Sequence, residues 1–417
     1  MARSRAVRGL RTQYLLAYGA IGCLGPFLPV YLSQEQGLTS AEIGAVLGVG
    51  GFAVLLTPVL LTRFADLGIQ TRLLLAGAFV GGALALAGLS ITTGFLTAAT
   101  FYLLFSLAER PVGALQDGLY FRARRLAAAD EYTPDFHRMR VWGTFGFIVP
   151  SVTLYVLVDR TGSTAIILAL AIAFGVAAAI NTRRLPAAEA QIAELSRTTA
   201  HPVRTPTIAP DPSRAQITRV ALRHLMQGEL RTFIGGMFLI GMASAAWYGF
   251  YPLYLTEAVG VDERAIGLFF NVGVVLEIGW MYAFGRLLRR FGLRRLMMTG
   301  AAAETLRLVL LAASPTVLVA VGTQALHGLV VLITAVAPQV FLNERADERI
   351  RSSVQGLYTT IVMGAGRLLG SVLAGQLAGL GFRVLFGVAS GFSALAFLVF
   401  ARLRPTPPVR PLPTEGT

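Results

Sequence analysis

Six ionisable side chains stand inside stretches that are otherwise apolar: Glu109, Arg110, Glu277, Glu304, Arg307 and Arg367. In a hydrocarbon solvent each charge at the midplane costs about 2.5–3.5 kcal/mol, so such groups face a partner or a polar cavity. Glu277 is isolated in VGVVLEIGWMYAF, and a lone carboxyl in such surroundings can take up and release a proton near neutral pH. Glu304 and Arg307 are three residues apart, a spacing that lets them pair along one helix face. Glu109 and Arg110 are adjacent, point in different directions, and are each expected to need another partner; Glu109 is a candidate for a cavity or coupling role. Arg367 lies among small residues in GAGRLLGSVLAG, where helices can approach closely, and could favour an anionic solute or pair with Glu277. His327 is either a packed ring or a titrating one. Tyr18, Trp247 and Tyr248 could wall a binding cavity; the alternative is packing or an interfacial belt.

The elements that must hold these groups follow from composition. The 417 residues are 55% hydrophobic and 14% charged, against about 25% charged in a soluble chain. All 36 basic residues are arginine, which keeps its proton and pairs with carboxylates in a fork. The net charge of +14 could suit nucleic acid. The arginines sit in short connections between apolar runs, however, which fits a membrane surface. Cys23 is the only cysteine, so no intramolecular disulfide can form. The start, MARSRAVRGLRTQYLLAYGAIG, is basic then apolar, and the apolar run continues to about Leu32 without a small-residue cleavage site. It reads as an uncleaved first helix.

A bilayer crossing takes roughly 20 apolar residues. Hydropathy predicts crossings at 12–32, 41–62, 73–92, 95–121, 141–158 and 163–182, then at 232–256, 264–285, 294–313, 316–341, 353–377 and 383–402. The expected class is an all-α membrane protein with twelve transmembrane helices in two six-helix bundles. The expected domains are a first bundle over 1–182, a cytoplasmic linker with a surface helix over 183–231, a second bundle over 232–404, and a disordered tail over 405–417. With the amino terminus inside, Arg160, Arg264 and Arg383 are external, Arg110, Arg307 and Arg367 are embedded, and the other 30 of the 36 are internal. That places both termini in the cytoplasm of a multi-pass inner or plasma membrane protein. In the linker, interrupted by Pro186, Pro202, Pro206, Pro210 and Pro212, SRAQITRVALRHLMQ sets Ile217, Val220, Ala221 and Leu225 on one stripe flanked by Arg219 and Arg223. It reads as a helix lying on the cytoplasmic surface, or else as plain linker.

The halves repeat. A shift of 223 places Phe27 on Phe250, Pro29 on Pro252, Tyr31 on Tyr254, Leu32 on Leu255, Ile43 on Ile266, Gly44 on Gly267 and Arg63 on Arg286. A parallel repeat of six helices implies two bundles related by an axis along the membrane normal, with a cavity between them near the midplane. Pro29 and Pro252 are expected to kink the first and seventh helices near their outer ends.

On these residues the chain resembles the major facilitator superfamily, whose signature loop after helix 2 runs roughly G-x-L-x-D-R-x-G-x-R-R. GRLLRRFGLRR carries it as Gly285, Leu287, Arg290, Gly292, Arg294 and Arg295, with Arg289 where the acid belongs. TRFADLGIQTR keeps Asp66 and Arg72. The resemblance implies that these loops gate the cytoplasmic side. Leu115–Gly118 with HRMRVWGTFGF, and LHGL followed by QGLYTT, look like the lactose permease and phenylpropionate permease branch. That resemblance implies substrate binding by Asp117 and Arg140, with a cytoplasmic gate pair as the alternative, and proton coupling through Arg307 and His327. The glutamate that the branch carries one turn after the histidine is absent; Val330 and Val331 stand there.

The expectation is a proton-coupled secondary transporter of a small organic solute, an aromatic or other organic acid in the first reading. A sugar or nucleoside symporter and a proton-coupled exporter of drugs or metabolites are the alternatives. Catalysis is not expected: GxxxxGK[ST], HExxH and GxSxG are absent. The expected partners are the small-molecule substrate, protons and the lipid bilayer, with no nucleic acid, metal or cofactor, and a monomer suffices. A sensor on the same fold is a further class, and it would call for an extra cytoplasmic domain.

Overall fold

A computed structural model of the chain describes residues 2–66, 69–126, 136–185, 213–345 and 351–404, and among them the regular structure is entirely helical. Contacts divide the chain into two units. Unit 1 holds residues 1–211 with the short segment 263–267, and unit 2 holds 212–262 and 268–417.

Unit 1 contains α1 (Ala2–Gln34), α2 (Ser40–Asp66), α3 (Thr71–Ile91), α4 (Phe95–Glu109), α5 (Val112–Leu126), α6 (Phe136–Thr161) and α7 (Ile166–Asn181). The first of these lies at the centre, packed on α6 and α7. Glycine makes that approach possible: a Cβ on Gly146 of α6 would fall 2.2 Å from the Leu15 carbonyl oxygen of α1. The core joins Leu10, Tyr14 and Ala17 of α1 to Leu75 and Phe79 of α3, Leu119 and Tyr120 of α5, and Met139 of α6. Past the end of α1, Glu35 accepts from Ser163 Oγ (2.9 Å), Thr164 Oγ1 (3.0 Å) and the Ala165 amide (3.2 Å) at the start of α7. The Ser163 hydroxyl bond leads in holding this carboxyl below the usual carboxylate range.

The single fourth crossing expected over 95–121 is instead two helices, α4 and α5, meeting at Arg110 and Pro111. Proline has no amide hydrogen and its ring crowds the preceding turn, so the helix is interrupted there.

Unit 2 contains α8 (Ser213–Leu225), α9 (Gly228–Leu253), α10 (Ile266–Ala313, its first two residues counted with unit 1), α11 (Val317–Gly322), α12 (Gln324–Val331), α13 (Ala337–Arg345), α14 (Arg351–Tyr358), α15 (Arg367–Ala378) and α16 (Phe382–Phe400). Three π-helical stretches, Tyr254–Ala258, Leu332–Val336 and Thr359–Gly366, widen its helices. Here α9 is central, packed on α15 and α16. The crossings expected over 264–285 and 294–313 form one run, α10, broken at Gly292, whose φ of 73° is open to glycine and costly to other residues.

The helix expected in the linker is α8. Its Ala221 and Leu225 are fully buried against a core that includes Phe233, Met237, Phe341 and Phe400. Val220, assigned to the same stripe, is instead 45% exposed. The buried stripe is therefore narrower than expected, and α8 docks on unit 2. The linker prolines lie outside the described residues.

Ten helices among the described residues are long and apolar enough to cross a membrane. The longest of these, over 263–313, covers two of the expected crossings, and α4 and α5 have 15 residues each. Ile91, Leu96 and Leu318 are 84%, 76% and 82% exposed. Apolar surface of that extent fits lipid as solvent. The chain is an all-α, multi-pass membrane protein.

Candidate functional site

Each unit gathers a cluster of ionisable and aromatic groups. In unit 1, the α1, α5 and α6 contacts bring Tyr14, Asp117 and Arg140 together. The Tyr14 hydroxyl donates to Asp117 Oδ1 at 2.6 Å, and Arg140 Nη1 lies 3.6 Å from Asp117 Oδ2. The carboxylate thus uses one oxygen for a neutral donor and the other for a cation. The pair is open: the Arg140 side chain is 54% exposed and that of Asp117 30%. Tyr18, one turn beyond Tyr14, is half-buried against α6, where a Cβ on Gly143 would fall 2.9 Å from its ring. Glu109 and Arg110 are ion-paired with each other at 3.7 Å. This corrects the expectation of separate partners; α4 ends between them, so their side chains do not follow the bearings of one continuous helix. Glu109 also lines an apolar cavity of about 30 Å³ with Ala17, Phe79, Gly82 and Val112, room for about one water.

In unit 2 the cluster is a chain. Glu304 and Arg307 of α10 form an ion pair with both side chains 0% exposed. Ser244 of α9 donates to Glu304 at 3.3 Å. The Arg307 guanidinium lies 4.2 Å from the ring centre of Trp247. Its Nη1 is 3.1 Å from His327 Nδ1. On the other side of that ring, His327 Nε2 is 3.9 Å from Glu277 Oε2, an ion-pair distance too long for a hydrogen bond. Trp247 stacks on Tyr251 with ring centres 4.9 Å apart, and Tyr248 meets the His327 ring edge-on at 5.9 Å. Arg367, half-buried at the start of α15, acts electrostatically on Tyr248, as do Arg307, Glu277 and Glu304.

Arginine only donates hydrogen bonds, so His327 Nδ1 accepts and the imidazole is neutral with its proton on Nε2, turned toward Glu277. An added proton would put an N–H on Nδ1 against the guanidinium and break that contact. The arrangement can therefore convert a proton at Glu277 or His327 into a loosened Arg307. Glu277 meets His327, a neighbour the sequence did not suggest for it.

Of the gate-loop residues, Gly292 is required by its backbone. A Cβ on Gly285 would meet Arg289 Nη1 at an ordinary 3.5 Å, so nothing steric holds that glycine in place. Arg290 lies over the neighbouring Phe291 ring at 5.4 Å, and Arg72 Nε donates to Gln70 at 2.9 Å. Asp66 closes α2, and its side chain lies outside the described residues. Sequence reasoning missed Tyr14, Ser244 and Tyr251. Tyr14 carried a signal, standing four residues before Tyr18 and so on the same helix face.

The sequence model of the MFS_1 like family matches residues 8–387. Maltose permease of Geobacillus stearothermophilus is 27% identical over 370 residues, covering 87% of this chain and 86% of that protein. The probable 3-phenylpropionic acid transporter of Escherichia coli is 27% identical over 388 residues, covering 89% and 91%. Xanthosine permease of Escherichia coli is 25% identical over 389 residues, covering 88% and 86%. Among solved structures, the nucleoside transporter NupG superposes with a TM-score of 0.80 at 20% identity, covering 95% of this chain and 98% of that one. The fold is thus that of the major facilitator transporters. With the family match running from α1 into α16, this chain belongs to the MFS_1-like family and is a membrane transporter of organic solutes.

Proposed function

We propose that the protein is a secondary transporter carrying a neutral, hydroxyl-bearing solute of the sugar or nucleoside class together with protons. The observation that carries this reading is charge balance. An anionic cargo needs an uncommitted cation, yet Arg307 is paired with Glu304, Arg140 with Asp117 and Arg110 with Glu109. A neutral cargo needs hydrogen-bonding groups and aromatic walls; unit 1 supplies Tyr14, Asp117, Arg140 and Tyr18, and unit 2 separately supplies Trp247 and Tyr248. The relatives named for maltose, xanthosine and nucleosides support the same class. This departs from the aromatic acid first read from the sequence, which counted the embedded arginines without their partners. The relative named for 3-phenylpropionic acid keeps that acid as the second reading.

Proton coupling is assigned to Glu277 and His327, with Arg307 and Glu304 as the ion pair they act on. A proton reaching Glu277 removes the carboxylate that favours Nε2–H on His327, and the tautomer and the Arg307 contact change together. Glu109 is assigned to the structural pair with Arg110. We further propose twelve crossings with both termini cytoplasmic, divided as 1–182, 183–231, 232–404 and 405–417.

The test is uptake of labelled uridine, maltose and 3-phenylpropionate into proteoliposomes under an imposed pH gradient, acid outside. Uridine or maltose should accumulate, and the gradient dependence should vanish in Glu277→Gln. Accumulation of 3-phenylpropionate alone would replace the neutral cargo with the acid. Gradient-driven uptake unchanged in Glu277→Gln would remove that residue from coupling.

A further inference from the structure

One residue of unit 2 is left unexplained by the charge chain. Gln324, at the start of α12, is 1% exposed, and neither Oε1 nor Nε2 has a hydrogen-bond partner. It stands three residues before His327, on the same side of the helix. The Tyr251 oxygen lies beside the amide and draws weakly on Nε2, short of full hydrogen-bond geometry, but the hydroxyl donates its only proton to the Ala320 carbonyl at 2.9 Å and has none for Oε1. On the facing helix is Gly273, where a Cβ would fall 2.6 Å from Gln324 Oε1 and 3.2 Å from the His327 ring. The absent side chain is what lets the amide sit there. A second orphan accompanies it: the indole Nε1 of Trp247, 0% exposed and also without an acceptor.

Buried polar groups are satisfied in the great majority of folds, and each exception calls for a reason. Two orphans in the same aromatic cluster, away from water and in a bilayer-spanning unit, have a common one. We infer that Gln324 is a cargo-reading residue: its amide pairs with a donor–acceptor edge of the solute, with the Trp247 N–H as a second donor. An amide offers one acceptor beside two donors in a plane. Its complement is a planar edge carrying an adjacent donor and acceptor, as a nucleobase has and a hydroxyl-only sugar lacks. The inference rests on the neutral-solute reading and sharpens it toward nucleosides. A site built around such a bond rejects cargo unable to form it, because its own polar groups are then left unpaired.

The experiment is thermal unfolding of the purified full chain in detergent, with and without uridine or maltose, for the unsubstituted protein, Gln324→Met and Trp247→Phe. Methionine keeps the bulk and removes the orphan amide. Ligand-free Gln324→Met should therefore melt at the same temperature or higher, and its uridine affinity should fall about tenfold to hundredfold. Trp247→Phe should lose less, since the ring remains. A lower ligand-free melting temperature in Gln324→Met would show the amide satisfied within the fold, and overturn the inference. Uridine binding that Gln324→Met leaves intact would overturn it while sparing the neutral-solute reading. Stabilisation by maltose alone would overturn the nucleobase edge. No stabilisation of the unsubstituted protein by either compound would overturn the neutral-solute reading, and this inference with it.

Discussion

The two units solve the same problem, an arginine held beside a carboxylate, at opposite ends of the solvation scale. In unit 1 the Arg140 side chain is 54% exposed and sits 3.6 Å from Asp117, whose other oxygen is held by Tyr14. In unit 2 neither Arg307 nor Glu304 is exposed at all, and the guanidinium is also pressed on Trp247. A solvated pair can be broken and its members lent to a ligand at little cost. A buried pair cannot lose one member without stranding the other. The open pair therefore suits exchange of partners with a cargo, and the closed one suits a switch that moves only when a proton changes the balance.

The sharpest way to break this contrast is to delete the cation on each side. Arg307→Met should cost about 3–5 kcal/mol, because Glu304 is left buried without its counter-ion. Arg307→Met with Glu304→Leu should recover most of that. Arg140→Met should cost under about 1 kcal/mol while abolishing uptake. Melting temperatures in one detergent check all three, and equal losses at Arg307 and Arg140 would erase the distinction.

A second comparison uses the repeat. The shift of 223 that maps Arg63 on Arg286 maps Ile69 on Gly292. Ile69 lies in the open connection between α2 and α3, whereas Gly292 must turn the backbone within α10 at φ 73°. Gly292→Ala should destabilise by about 1–3 kcal/mol, and Gly285→Ala should be near neutral; unfolding curves for the two variants measure the difference.

The smallest effect is expected at Glu35, in unit 1. Hydrogen bonding holds its carboxyl below the ordinary value of 4.5 in the folded state. The unfolded chain then binds the proton first, so the contribution is complete above about that value and is lost as pH falls through the lower folded value. Glu35→Gln should flatten the acid limb of the stability profile slightly and leave the neutral limb parallel; a profile unchanged on acidification would detach Glu35 from the α7 start.

Much of the fold was legible because bilayer crossings are written in runs of apolar residues, and the arginines between those runs are unambiguous. What failed has physical causes. Pro111 stood in view, yet hydropathy does not register a lost amide hydrogen, so α4 and α5 read as one. Glu109 and Arg110 were kept apart by ideal helix bearings that do not hold at a helix end. Glu304 and Arg307 could be paired by spacing, since both lie on one helix. The meeting of His327 with Glu277, or of Tyr14 with Asp117, joins residues on different helices and follows from packing that periodicity does not encode. Gln324 was invisible for another reason: a glutamine in an apolar run looks ordinary until its neighbours are known to offer it nothing.

Gly292 carries a consequence of scale. Drawn straight, the 48 residues of α10 would make a rod about 72 Å long. The oily slab it must fit is only about 30 Å deep. One residue whose side chain is a hydrogen atom breaks that rod, so the run need not stand as a single span far longer than the slab is deep.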